Sequence, residues 1–261
     1  MKITCIQLST GENYKKNCSD LLKYIEQAIK KKSDLIITPE YSSILSSDKK
    51  ILYKYSFNMR KDPLIKKIQK LSKKEKKWII IGSIIVKAEN KLRNRSIVIN
   101  SDGRIFSHYD KINMFDVKTS SETHKESNVF KSGNKLVTTN LPWGKIGLSI
   151  CFDLRFPEIY RNLSKRNIKF ITIPSSFTKV TGARHWIELL KARAIENFCY
   201  VFAPNQYGKN TKNRETYGHS AIISPDGKIL SIKKKGKGLV MANIKPNESL
   251  RLRKLIPSLK I

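Results

Sequence analysis

Three side chains in this sequence of 261 residues have the types needed for covalent acyl transfer: a thiol at Cys151, a carboxylate at Glu40 and an ammonium at Lys111. They would serve as nucleophile, base and fixed cation for a developing oxyanion. Cys151 lies within Lys-Ile-Gly-Leu-Ser-Ile-Cys-Phe-Asp-Leu-Arg-Phe-Pro-Glu, residues 145–158. Residues 145–150 have the apolar, β-branched character of a buried strand, and Phe156-Pro157-Glu158 opens a helix that tolerates proline in its first turn. The thiol therefore falls on a sharp strand-to-helix joint, near the positive end of a helix, which favours the thiolate. A small buried hydrophobe at a strand end is the other reading of such a cysteine. Glu40 follows the apolar run 34–38 and Pro39, and it could equally be a helix-start carboxylate. Lys111 is flanked by apolar and aromatic residues within 108–116, although a lysine is most often a surface residue. A Cys–His pair would draw on His185 or His219, neither of which the sequence places beside Cys151.

The elements that must position these groups recur in two halves. Residues 3–8, 34–38 and 78–86 read as strands. Leu21, Ile25, Ala28 and Ile29 share one helix face, and Leu64, Ile68 and Leu71 mark a second helix that begins near Pro63. Residues 96–107 form a hairpin with its turn at Asn100-Ser-Asp-Gly103. The second half offers strands at 145–150, 169–173 and 199–203, helices at 157–166 and about 184–197, and a hairpin at 220–231. The two hairpins share an Asp-Gly turn and flanking serines. Both halves read β-α-β-α-β-hairpin, so the fold class is α/β. The expected architecture is a four-layer α-β-β-α sandwich of two mixed sheets with an internal pseudo-repeat. Glu40 and Cys151 then follow the C-terminal ends of strands, the edge where reacting groups gather in such sheets. Residues 108–140 lack periodicity and form a long loop region between the halves, of the kind that is often functional.

Composition bounds the rest. The four cysteines and four histidines have no ligand spacing, which argues for a reduced compartment and against a metal or a disulfide framework. The first residues run straight into a strand pattern without a signal peptide's apolar region, and no stretch is long enough to span a bilayer, so a cytoplasmic protein is expected. The chain has 52 Lys and Arg against 21 Asp and Glu, a net charge of +31. That charge could serve nucleic acid or acidic substrates. The basic clusters at 30–32, 73–77 and 233–237 are scattered, however, and no aromatic-interleaved tract accompanies them. Compositional bias, with Lys, Ile and Asn abundant together, accounts for it.

At the level of motifs the chain resembles the nitrilase superfamily of carbon–nitrogen hydrolases over nearly its whole length. Leu35-Ile-Ile-Thr-Pro-Glu40 is similar to the family's glutamate motif, Tyr109-Asp-Lys111 to its lysine motif, and Ser149-Ile-Cys151-Phe-Asp-Leu-Arg155-Phe-Pro-Glu158 to its cysteine motif. Pro174-Ser-Ser-Phe-Thr-Lys-Val-Thr-Gly-Ala-Arg-His-Trp186, residues 191–197 and Tyr217-Gly-His-Ser220 resemble the omega-amidase and deaminated-glutathione-amidase branch. Asn113, Phe152 and the loop 118–134 depart from the common pattern. The resemblance implies catalytic Glu40, Lys111 and Cys151. It implies supporting roles for Glu126, which backs the lysine, and for the backbone N–H of Phe152, which faces the oxyanion. Asp153 and Arg155 would brace the turn. Arg155, Phe177, His185 and Trp186 are the candidate substrate-binding residues, and Arg155, Lys179 and Arg184 favour a substrate that bears a carboxylate. The implied reaction hydrolyses a small carboxylate-bearing primary amide to acid and ammonia through a thioester, without metal or cofactor. An N-carbamoyl-amine hydrolase or nitrilase on the same triad is the alternative. From another class, the rival is a basic nucleic-acid-binding protein whose hydrolase site has lapsed. The resemblance also implies one domain, residues 1–261, in a homodimer, with the leucine-rich tail at about 246–261 at the interface.

Overall fold

The computed structural model describes residues 1–89, 91–118 and 123–259. The first half contains β1 (Lys2–Gln7), α1 (Tyr14–Lys30), β2 (Leu35–Ile37), α2 (Lys49–Lys54), α3 (Pro63–Glu75), β3 (Trp78–Ala88), β4 (Lys91–Ile99) and β5 (Ile105–Asp110). A short pair, β6 (Asp116–Lys118) and β7 (Thr123–Lys125), leads into the second half. There β8 (Thr138–Leu141), β9 (Gly144–Leu148), α4 (Pro157–Ser164), β10 (Phe170–Thr172), α5 (Lys179–Asn197) and β11 (Tyr200–Ala203) follow in turn. The chain closes with β12 (Tyr207–Thr211), β13 (Arg214–Tyr217), β14 (Ser220–Ile223), β15 (Ile229–Lys233), β16 (Gly238–Asn243) and α6 (Glu248–Leu255).

Local chemistry sets the helix starts. The Asn13 side chain accepts the Lys16 amide at 3.0 Å, and Asp62 accepts the amides of Leu64 and Ile65 at 2.8 and 3.0 Å just before Pro63. The helix expected from about 184 starts earlier, at Lys179, and absorbs the Thr181-Gly182 pair that reads as a turn. Gly182 is there for packing. A Cβ at that position would lie 2.6 Å from the Cβ of Tyr217, so only glycine lets α5 meet β13.

Two six-stranded sheets result, ordered β16-β1-β2-β3-β4-β5 and β15-β14-β11-β10-β9-β8. In each, three central strands run parallel and the outer strands antiparallel: Ile36 faces Thr4 on β1 and Ile79 on β3, while Ile171 faces Gly147 on β9 and Val201 on β11. Alternation along the strands builds the layers. Ile36, Ile79 and Ile81 pack with Leu21, Ile25, Leu64 and Ile68 of the outer helices, whereas Leu35, Ile37 and Ile80 join Ile146, Leu148 and Ile171 of the other sheet. The expected four-layer α-β-β-α sandwich with its internal repeat is thus the observed architecture.

The repeat extends further than its sequence pattern, because each half gains an antiparallel edge strand, β16 on β1 and β8 on β9. The region 108–140 is more ordered than a loop: it holds β6, β7, a 3-10 turn at Glu126–Asn128 and β8. Residues 119–122 of that region and 260–261 of the tail lie outside the described residues. Among the described residues no helix is long and apolar enough to cross a membrane, and no cluster of His, Cys, Asp and Glu is placed to hold a metal ion.

Candidate active site

The ends of β2 and β9 deliver Glu40 and Cys151 to one place, and a missing side chain lets them meet. A Cβ on Gly82 of β3 would fall 1.7 Å from the Thr38 carbonyl oxygen and 2.5 Å from the Pro174 Cβ. Glycine therefore allows the segment before Glu40 to press against the segment that supports Cys151. The Cys151 amide donates to the Pro174 carbonyl at 2.9 Å. Cys151 itself has a left-handed backbone, φ +48°, and begins a 3-10 turn, Cys151–Arg155, before α4. Such a conformation is uncommon for a residue with a Cβ, and here it turns the thiol out of the strand direction.

Lys111 leaves the end of β5 buried, 1 % exposed, with its amide bonded to the Asn94 carbonyl at 3.0 Å. Its Nζ donates to Glu40 Oε1 at 3.0 Å and to Glu126 Oε2 at 2.8 Å. Both carboxylates are further held. Glu40 Oε1 accepts Asn94 Nδ2 at 2.9 Å, and Oε2 accepts the amide and the hydroxyl of Ser176, each at 2.8 Å. Glu126 accepts the Tyr41 hydroxyl at 2.6 Å, the Phe115 amide at 2.6 Å and Asn94 Nδ2 at 3.2 Å. The Cys151 thiol lies near enough to the Glu40 carboxylate for each to alter the other's hold on its proton.

The lysine loop and the cysteine turn are tied by Asp153. It accepts the Ile150 amide (2.9 Å), the Tyr109 hydroxyl (2.7 Å), and both the amide and the side-chain Nδ2 of Asn113 (3.0 and 2.9 Å). The expected bracing role of Asp153 thus has a clear structural form. Arg155 does not share it, because its guanidinium instead lies over the rings of Phe177 and Phe152, 5.1 and 5.9 Å from their centroids.

The charges follow from burial and pairing. Burial would push the Glu40 carboxyl up, but the Lys111 ammonium and the Arg214 guanidinium outweigh it and hold the group below the usual carboxylate range. Burial opposes the charge on Lys111, and Glu126 and Glu40 overcome that, raising the ammonium well above an ordinary lysine. Cys151 goes the opposite way to the sequence expectation. Burial, and next the adjacent Glu40 carboxylate, raise the thiol well above its ordinary value against the pull of Lys111. The free site holds a thiol beside a carboxylate, not a thiolate.

Cys151, Lys111 and Glu126 line a cavity of about 620 Å³. Of the expected substrate-binding residues, Arg155 and Phe177 line it with Phe152, but His185 and Trp186 do not. Trp186 is fully buried behind Phe177, its indole N–H bonded to the His219 carbonyl at 2.9 Å; His185 lies outside the wall with Nδ1 3.3 Å from Arg155 Nη1. His219 stacks on Tyr217, also away from the cavity. The cavity's positive charge comes from Arg155, Arg214, Lys49 and Lys125, none of which forms an ion pair among the described residues. Lys179 and Arg184 do not contribute: Lys179 pairs with Glu215 at 2.9 Å on the surface, and Arg184 is exposed outside the cavity.

Sequence reasoning missed Tyr41, Asn94, Ser176 and Arg214. Asn94 left a trace, since with Leu92, Ser96 and Val98 it occupies the buried positions of alternating β4, and a polar residue on an inward face is a signal of function. Arg214 left none, because its hairpin has no periodicity.

The chain belongs to the carbon-nitrogen hydrolase family, an enzyme superfamily also named for nitrilase, whose model matches residues 2–254. It is 36% identical over 236 residues to the deaminated glutathione amidase of Dictyostelium discoideum, covering 86% of this chain and 80% of that one. It is 33% identical over 261 residues to the deaminated glutathione amidase of Synechocystis sp., covering 98% of this chain and 95% of that one. The crystal structure of the Caenorhabditis elegans NitFhit protein superposes with a TM-score of 0.91 at 30% identity, over 98% of this chain. This chain spans only 63% of that longer protein.

Proposed function

We propose that the protein is a cysteine-dependent amidase acting on a small amide that bears a carboxylate. The observation that carries this reading is the buried Glu40–Lys111–Glu126 ion cluster set beside Cys151 at the base of a cationic cavity. Glu40 takes the thiol proton as sulfur attacks the amide carbon. The C–S bond forms, and the carbonyl electron pair moves to oxygen, where Lys111 Nζ and the Phe152 backbone N–H receive it. Glu40 then protonates the departing nitrogen, the C–N bond breaks, and a thioester remains on Cys151. Glu40 next removes a proton from water as the water oxygen attacks the thioester. Collapse releases the acid and returns the proton to sulfur.

The forked guanidinium of Arg155, held on two aromatic faces, is the group that would bind the substrate carboxylate. The names of the relatives support the same class. Glutathione carries its γ-amide on the cysteine nitrogen, so a deaminated form would release a dipeptide amine and not ammonia. The leaving group is therefore ammonia or a primary amine, wider than the ammonia expected from sequence. The exposed Leu250, Leu255 and Ile256 around α6 fit a homodimer interface as part of the same proposal.

The test is steady-state turnover of a carboxylate-bearing ω-amide, with release of acid and of amine both followed. Cys151→Ala and Glu40→Gln should abolish it. A neutral amide of the same length should lose about 10- to 100-fold in kcat/KM, the worth of one charge-assisted hydrogen bond. Equal turnover of the two amides would remove the carboxylate claim, and preference for an N-carbamoyl amine would change the substrate assignment.

A further inference from the structure

Arg214, at the start of β13, reaches the site without touching Cys151. Its Nη2 donates to the Ser176 carbonyl at 3.0 Å and to Ser176 Oγ at 2.7 Å. A hydroxyl oxygen that accepts from a guanidinium has its own proton free to point elsewhere, and Ser176 Oγ donates to Glu40 Oε2 at 2.8 Å. The Ser176 amide reaches the same oxygen at 2.8 Å. The guanidinium also lies over the Tyr41 ring, 5.9 Å from its centroid, so two elements fix its place. From this chain of contacts we propose that Arg214 is the positioning residue of the base, acting through Ser176 to orient Glu40 and keep it ionised. The proposal builds on the reading of Glu40 as the base.

The charged and titratable groups around Glu40 come from several elements. Lys111 enters from the end of β5, with Glu126 beyond it, Cys151 from the 3-10 turn, Tyr41 from the residue that follows, and Arg214 from the β12–β13 hairpin. Burial drives the carboxyl towards its neutral form, and Lys111 and Arg214 supply positive charge against it. With Arg214 removed, one of these two is lost and the Ser176 hydroxyl is free to turn away. The Glu40 carboxyl then rises, and the acid limb of kcat/KM moves to higher pH.

The experiment is the pH dependence of kcat/KM for the ω-amide in the wild type, Arg214→Gln, Ser176→Ala and the double variant, with Glu40→Gln as reference. Arg214→Gln should shift the acid limb upward by about one pH unit, the lower end of what a neighbouring opposite charge does to a carboxyl. Ser176→Ala should shift it in the same direction, and the double variant no further than the larger single shift. A merely structural role would lower the whole profile without moving its limb. An unmoved limb in Arg214→Gln, or additive shifts in the double variant, would overturn the proposal. If Arg214→Gln does not fold, Ser176→Ala decides it alone, by whether its limb moves. Wild-type activity in Glu40→Gln would bring down the base assignment itself, an outcome distinct from an unmoved limb in an enzyme that needs Glu40.

Discussion

Replacing Lys111 by methionine isolates the electrostatics of the buried cluster. Both carboxylates lose their shared ammonium, at 3.0 and 2.8 Å, in a cluster whose side chains are almost fully buried. Glu40 Oε1 and Glu126 Oε1 both contact Asn94 Nδ2, at 2.9 and 3.2 Å, so these two oxygens cannot be more than about 6 Å apart. At such a separation two negative charges repel by about 3 kcal/mol for an effective dielectric constant near 20. Removing one partner of a buried ion pair costs about 3–5 kcal/mol in general. Lys111→Met should therefore be destabilised by about 3–5 kcal/mol at pH 7.5, and one of the two carboxyls should rise above its unfolded value. A carboxyl raised in the folded state binds its proton preferentially there, so the variant regains stability as pH falls, by up to about 1.4 kcal/mol per pH unit. The wild type has the opposite linkage. The lowered Glu40 contributes stability that is present above about pH 4.3 and lost as pH falls through its folded value. The raised Lys111 contributes stability that is present below about pH 10.4 and lost as pH rises through its folded value. Neither group gives the wild type a trend between about pH 5 and 9. Urea unfolding of both proteins at pH 7.5, 6.5 and 5.5 measures the difference, and turnover should fall about 100- to 1,000-fold in parallel. A deficit below 1 kcal/mol at pH 7.5, or one that stays constant down to pH 5.5, would refute the reasoning.

Asp153→Asn places an amide NH2 where a carboxylate oxygen accepts, either Oδ2 with its donors Ile150 N and Tyr109 Oη or Oδ1 with its two donors from Asn113. It should cost about 1–3 kcal/mol in a thermal melt and lower kcat more than it raises KM, because it loosens the tie between the lysine loop and the cysteine turn; a variant with wild-type melt and kcat would remove that tie from the account. Light scattering at micromolar concentration should give the mass of two chains, and Leu255→Lys with Ile256→Lys, at positions 64% and 52% exposed, should shift it towards one.

The sequence made legible those features that depend on local patterning. Proline at the start of α3, the buried β-branched strands, and paired Asp-Gly hairpins are statements about short stretches, and together they imply the two-sheet sandwich. The stretches carrying Glu40, Lys111 and Cys151 could be picked out because their residue types are unusual where they stand, whereas Glu126 is marked only by the family resemblance. What was not legible depends on contacts between distant segments. The edge strand β8 is short and mostly polar, β16 lies between a Lys-rich stretch and the tail, and each is fixed as a strand by its pairing with β9 or β1. Thr181-Gly182 has the composition of a turn, yet Tyr217 requires a glycine inside a helix there. Trp186 shares a motif with Phe177 but packs behind it, because Phe177 precedes α5 while Trp186 lies inside the helix, fully buried.

Cys151 shows how far one local rule can be overturned. A turn at a helix start favours a thiolate only where the nearest charges are positive and the sulfur is near water. Here burial of the sulfur and the Glu40 carboxylate outweigh the Lys111 ammonium, so the protonated form is stabilised. Protonation of the thiol keeps the cluster close to neutral: Glu40 and Glu126 are balanced by Lys111 and, through Ser176, by Arg214. An isolated thiolate would add a further negative charge beside the Glu40 carboxylate, and burial together with that carboxylate outweighs the pull of Lys111. If the thiol proton passes to Glu40 as sulfur attacks, charge leaves the carboxylate as it appears on the carbonyl oxygen, next to Lys111. The ammonium then exchanges one anionic partner for another without leaving its place. On the proposed mechanism this exchange takes place only when an amide carbonyl is in position to receive the charge.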